Sequence, residues 1–165
     1  MKIALLSDTH SILKKEIKEF LNGCDEIWHA GDWGNIEVYN ELKNISPIIR
    51  GVYGNIDGPS FIDLPENQIF YCEEVKVLIT HIGGYPGKYQ SRVRKLIIDE
   101  KPKLYIAGHS HILKVIYDDK YELLHLNPGA AGSSGFHKIS TAMRFEINKD
   151  KIEKLQIFEI AKRSI

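Results

Sequence analysis

An α/β fold is predicted for this chain, a strand-rich sandwich clothed by helices, on two observations of periodicity and one of composition. Short apolar runs alternate with helically spaced apolar residues through the first half. The second half instead alternates apolar and polar residues with period two, with turn signals between the segments. A chain of 165 residues that is 43% hydrophobic and 27% charged has the balance of a globular domain with a real core.

Taken in order, the runs IALL at 3–6, EIWHA at 26–30, PIIRGV at 47–52, VKVLIT at 75–80 and LYIA at 104–107 are short and nearly continuous, as buried strands are. Between them, Leu13, Ile17, Phe20 and Leu21 share one helical face, as do Val38, Tyr39 and Leu42, and then Tyr89, Val93, Leu96 and Ile97. After residue 112 the spacing changes. Leu113, Val115 and Tyr117, then Leu124 and Leu126, then Met143, Phe145 and Ile147 step by two, which is antiparallel strand behaviour. No linker, repeat or low-complexity stretch divides the chain, so residues 1–165 are expected to form one domain.

Composition narrows the partners. Lysine plus arginine equals aspartate plus glutamate at 22 each, which argues against a broad electrostatic grip on nucleic acid or membrane. Cys24 and Cys72 lie far apart and outside any CxxC arrangement, as idle thiols in a reducing compartment do. The opening MKIALLSDTH is too briefly apolar for a signal core or a membrane span, and a cytoplasmic protein is expected.

The chemistry follows the strands. Asp8-Thr9-His10 comes after the first, Gly31-Asp32 after the second, Gly54-Asn55-Ile56-Asp57 after the third, His81 after the run at 75–80, and Gly108-His109-Ser110-His111 after the run at 104–107. In open α/β sheets the loops at the carboxyl ends of the strands gather on one edge, where ligands bind. Each fragment also has a bland account: Asp8, Thr9 or Ser11 could cap a helix, Gly31-Asp32 is a common turn, and Asn55 with Asp57-Gly58 could turn by Asx chemistry. Five successive strands all ending in oxygen or imidazole donors favour a metal site instead. Asp8, His10, Asp32, Asn55, His81, His109 and His111 make seven ligands, enough for two ions with four each if one carboxylate bridges. Asp32 suits the bridge, because a carboxylate can offer one oxygen to each cation. Oxygen and nitrogen donors without thiolate suit two divalent ions of manganese, zinc, iron, nickel or cobalt, and manganese is the expected choice.

D-x-H, G-D, G-N-x-D, an isolated post-strand histidine and G-H-S-H, in that order over residues 8–111, resemble the calcineurin-like metallophosphoesterase superfamily. The length, GNID and LNPGA stretches are most similar to its small bacterial and archaeal phosphodiesterase branch. The resemblance implies a four-layer α/β/β/α sandwich. It also implies one metal held by Asp8, His10, Asp32 and His111 and a second by Asp32, Asn55, His81 and His109. The activity implied is hydrolysis of a small or exposed phosphodiester by a metal-bound hydroxide, with Asp32, Asn55 and His109 nearest the chemistry. The same branch includes the retromer scaffolding subunit, so a protein-binding platform without catalysis is the alternative. A homo-oligomer is left open.

Two positions depart from the family pattern. Relatives often carry GNHD or GNHE, their histidine serving as proton donor to the leaving group; here Ile56 occupies that position and Asp57 matches the acidic residue after it. Asp57 could replace the acid only if burial kept it protonated, and the sequence gives no sign of that burial. Ala130 follows Asn127-Pro128-Gly129 where relatives often have serine, which removes a side-chain contact but leaves a backbone role. Among the other histidines, His29 is expected outside the ligand set, and His125 and His137 are expected to be structural or exposed. Trp33, beside Asp32, could wall a substrate pocket or simply pack.

Overall fold

The computed structural model describes residues 1–161. Residues 162–165 of the expected domain lie outside the described residues. Five strands form one mixed sheet in the order β10-β9-β1-β2-β3: β1 Lys2–Leu6, β2 Glu26–His29, β3 Ile48–Gly51, β9 Ile139–Asn148 and β10 Lys151–Ala161. Five more form a second in the order β4-β5-β6-β8-β7: β4 Asn67–Cys72, β5 Val75–Thr80, β6 Leu104–Ile106, β7 Leu113–Asp118 and β8 Leu123–Pro128. Within each sheet the three neighbouring strands β1-β2-β3 or β5-β6-β8 run parallel; β9 flanks β1, β4 flanks β5 and β7 flanks β8 antiparallel, and β10 pairs antiparallel with β9.

Strand alternation builds the layers. Ile3 and Leu5 of β1 join Trp28, Val77, Ile79, Ile106, Leu126, Met143 and Phe145 in the core between the sheets. Ala4 and Leu6 point the other way, onto Ile17 and Leu21 of helix α1 (Lys15–Leu21) and Val38 and Leu42 of α2 (Ile36–Ile45). Behind the second sheet, Leu78 and Tyr105 pack on Val93 and Ile97 of α3 (Ser91–Glu100). The result is four layers, α/β/β/α. Each helix presents its buried pair at i and i+4, which is why seven to ten residues suffice. The helices stop where the chain prescribes: α1 at Asn22-Gly23, α2 before Pro47, α3 at Lys101, in a left-handed conformation ahead of Pro102.

Two strands were not legible from spacing. In β4, Phe70 and Cys72 face the core while Ile69 and Tyr71 are exposed, so both faces carry apolar residues and the period vanishes. In β10, a register shift between Glu153 and Gln156 lets Ile152 and Leu155 share the inter-sheet face, whereas Phe158 and Ile160 pack on the helix side. The bulge breaks the period of two. Cys24 and Cys72 are free and buried, and among the described residues no helix is long and apolar enough to cross a membrane.

Candidate metal centre

All seven predicted donors lie in loops at the carboxyl ends of parallel strands, and the two sheets bring those edges together. β1, β2 and β3 lead into Asp8 and His10, Asp32, and Asn55; β5 and β6 lead into His81 and then His109 and His111. The side chains form two groups, Asp8–His10–His111 and Asp32–His81–His109, with donor atoms in each lying within 4.8 Å of one another. Both groups take residues from both sheets.

Asp32 joins the groups. Its Oδ2 is 3.6 Å from Nε2 of His10, and its Oδ1 is 3.1 Å from Nε2 of His81. Asn55 places Oδ1 3.0 Å from the same Nε2 of His81. In the first group, Nε2 of His111 lies 3.2 Å and Nε2 of His10 lies 3.9 Å from Oδ1 of Asp8.

The loops are strained to achieve this. Asp8, His10, Asp32, His109 and His111, five of the seven donors, have φ between 46° and 66°, in the left-handed region. Each such residue costs roughly 1 kcal/mol or more and persists only where surrounding contacts dictate it. Those contacts are present: Asp8 N–H donates to Gly31 O, His10 N–H to Asp32 O, and His109 N–H to Oδ2 of Asp8. Thr9 between them accepts from Nε2–H of buried His29 and donates to Trp33 O. Nδ1 of His29 takes the Gly31 N–H, so the ring is neutral, and burial holds its pKa well below the ordinary value. Helix α1 begins at Lys15 with no side-chain cap, so Asp8, Thr9 and Ser11 do not serve as its caps.

The donor atoms suit a cation. Nδ1–H of His81 donates to Ala30 O at 2.7 Å, which in the neutral ring leaves Nε2 bare and facing the Asp32 and Asn55 oxygens. Three acceptors converging need a positive charge among them. Although burial alone would lower the His81 pKa and raise that of Asp32, their mutual hydrogen bond and charges prevail, so His81 is raised and Asp32 lowered. In the other group, Oδ1 of Asp8 and Nε2 of His10 are buried with no hydrogen-bond partner among the described residues. Orphaned acceptors of this kind, all oxygen or imidazole, fit a divalent transition metal.

Four residues around the donors complete the site. Asp57 is buried, contrary to the reading of its sequence context, and burial raises its pKa. Its oxygens accept the N–H groups of Gly34 and Gly54, which ties it to the loops. Trp33 is core packing, fully buried, stacked on His29 and donating to Val52 O. Asn127 holds the histidine loop by donating to Gly108 O and Oγ of Ser110 while accepting from Gly129 N–H. His137 reaches the site from the loop before β9, with Nδ1 3.2 Å from Nδ1 of His111. No spacing in the sequence ties residue 137 to residue 111.

The calcineurin-like phosphoesterase superfamily domain matches residues 1–150. A probable metallophosphoesterase of Methanothermobacter thermautotrophicus is 27% identical over 135 residues, spanning 79% of this chain and 77% of that protein. Wild-type Vps29 of Entamoeba histolytica complexed with zinc superposes with a TM-score of 0.77 and 17% identity, covering 98% of this chain and 99% of that one. An archaeal phosphodiesterase superposes with a TM-score of 0.76 and 23% identity, covering 97% and 100%.

Proposed function

The chain belongs to the calcineurin-like phosphoesterase superfamily, and from that premise we propose that it is a metal-dependent phosphodiesterase with a dinuclear centre. The observation that carries this reading is the pairing of the two donor groups through the two oxygens of Asp32. Asp8, His10, Asp32 and His111 would hold one divalent ion, and Asp32, Asn55, His81 and His109 the other, with manganese the first choice and zinc, iron, nickel or cobalt alternatives. Such ions supply Lewis acidity towards a phosphate oxygen and make water a nucleophile near neutral pH.

The chain's own residues set the rest. His109 and Asn55 are exposed, so they border the phosphate, while Asp8 and Asp32 lie beneath it, buried. A cleft of about 320 Å³ adjoins Asn55 and His81, lined also by Tyr53, Glu66, Gln90 and Arg92, and receives one substituent of the ester. Next to Asn55 in the chain, Ile56 is 44% exposed and offers no proton. Asp57 is turned into the Gly34 and Gly54 backbone and does not replace one. Substrates whose leaving group departs without protonation are therefore favoured, which supports activated diesters over alkyl monoesters.

A protein-binding platform of the same fold gives no reason for five donors in strained backbone around orphaned acceptors. The test is elemental analysis after mild loading with single metals, together with rates on matched phosphodiesters and phosphomonoesters. Two ions per chain, fewer in Asp32→Asn, with faster diester turnover, is the expected result. A parent that takes up no metal would favour the platform.

A further inference from the structure

His137 makes a hydrogen-bond chain that ends on a proposed metal donor. Its Nε2 lies 3.1 Å from Gly132 O, and its Nδ1 lies 3.2 Å from Nδ1 of His111. A carbonyl oxygen can only accept, so Nε2 of His137 carries the hydrogen. In the neutral ring Nδ1 is then bare, and Nδ1 of His111 must donate to it. That fixes the His111 tautomer as well: its hydrogen sits on Nδ1 and its Nε2 lone pair points towards Oδ1 of Asp8, 3.2 Å away.

The chain is anchored to the same backbone as its target. Gly132 N–H donates to Asp8 O, and Ala131 N–H to Ser7 O, so the carbonyl that orients His137 is tied to the β1 loop. Oγ of Ser140 also donates to Gly132 O and accepts from Nζ of Lys14, which keeps that carbonyl in place. The 132–137 loop presses on the His111 ring: a Cβ at Gly135, whose φ is 99°, would fall 2.7 Å from Nδ1 of His111. The His111 and His137 rings meet edge to face, with centroids 5.0 Å apart.

We infer that His137 is a positioning residue that selects the Nδ1–H tautomer of His111 and aims its Nε2 at the site shared with Asp8 and His10. The inference rests on the proposed metal-binding reading, because a bare, oriented Nε2 is what a cation requires. A partner accepting from the far nitrogen of a metal-binding imidazole fixes ring direction and raises basicity, and losing it costs about 10- to 100-fold in metal affinity.

The test compares the parent with His137→Leu, which fills the space without polar atoms, and His137→Gln, which retains one acceptor and one donor. Nitrogen NMR of labelled imidazoles, on metal-free protein at about pH 8 where histidine is ordinarily neutral, reads the tautomer directly. Calorimetric titration with manganese or zinc alone reads each site. His111 is expected as the Nδ1–H form in the parent and His137→Gln, and as a mixture in His137→Leu. His137→Leu should weaken one ion by about 10- to 100-fold and leave the other unchanged, with His137→Gln largely restored. An Nε2–H form of His111 in the parent overturns the inference. So does a His137→Leu protein with unaltered tautomer and affinities, or one in which both ions weaken equally alongside a lower Tm. A parent that binds no ion overturns the metal reading instead, since the tautomer is measured without one.

Discussion

His125 gives a quantitative prediction about acid stability, separate from the metal centre. The ring is fully buried in β8, stacked on Tyr105 with centroids 4.9 Å apart, and neither nitrogen has a hydrogen-bond partner among the described residues. Burial pushes its pKa down to about 4 from an ordinary 6.5, the Lys114 charge acts in the same direction, and an approach to the Tyr105 backbone offsets only part. A histidine with a depressed folded pKa binds its proton more weakly than the unfolded chain does. Its stabilising effect is therefore complete above pH 6.5 and is lost as pH falls towards 4. The gap implies a penalty of about 2.5 kcal/mol on going from pH 7.5 to 4.5. His125→Phe keeps a ring against Tyr105 and removes the titration. Urea midpoints should be measured across that range on both proteins, with chelator present so that metal release does not contribute. His29 is buried and depressed in the same sense and keeps its share in both, so the difference between the two profiles isolates residue 125. The variant is expected to lose about 2.5 kcal/mol less than the parent by pH 4.5. Parallel profiles would refute the reasoning, whatever the absolute stability of the variant.

Four further outcomes follow from contacts in the site. Gly54→Ala would drive a Cβ into the backbone nitrogen and Oδ1 of Asp32; a loss of about 2 kcal/mol or more in a denaturant melt, with reduced metal content, is expected, and parent-like values for both would count against the packing described. Asn127→Leu strands the Gly129 N–H and leaves the Gly108 carbonyl with Ser110 N–H as its remaining donor; about 1 to 3 kcal/mol of destabilisation is expected, again read by denaturation, together with weaker metal uptake through the His109–His111 loop. Ile56→His places a proton donor at an exposed position beside Asn55 and should raise rates on poor leaving groups by ~10-fold or more relative to activated ones. Asp57→Asn should leave that leaving-group dependence unchanged while lowering stability, because an amide oxygen can replace only one of the two acceptors for Gly34 and Gly54. A steeper dependence in Asp57→Asn would make Asp57 the proton donor.

What the sequence made legible depended on whether a residue's role leaves a local trace. The parallel strands β1, β2, β5 and β6 are buried on both faces, so they read as unbroken apolar runs, and the donor that follows each run falls at the sheet edge by geometry alone. β10 escaped because its bulge resets the alternation, and β4 because an edge strand with Ile69 and Tyr71 outside has no polar face to alternate with. The burial of Asp57 left no sign in the sequence because one of the N–H groups that it accepts comes from Gly34, 23 residues away, and only the other from nearby Gly54. Asn127 and His137 were hidden for a deeper reason: each acts on the His109–His111 loop across 17 to 26 residues of chain, through hydrogen bonds that no periodicity encodes. Residues that could touch an ion sit at strand ends and announce themselves by type and place. Those that hold them there are set by the packing of one sheet edge against the other, and the strained φ values at Asp8, His10, Asp32, His109 and His111 show how much that packing must enforce. Substitutions at the supporting positions should therefore disturb the donors' geometry while the donor types remain intact, a loss that inspection of the motifs alone would not anticipate.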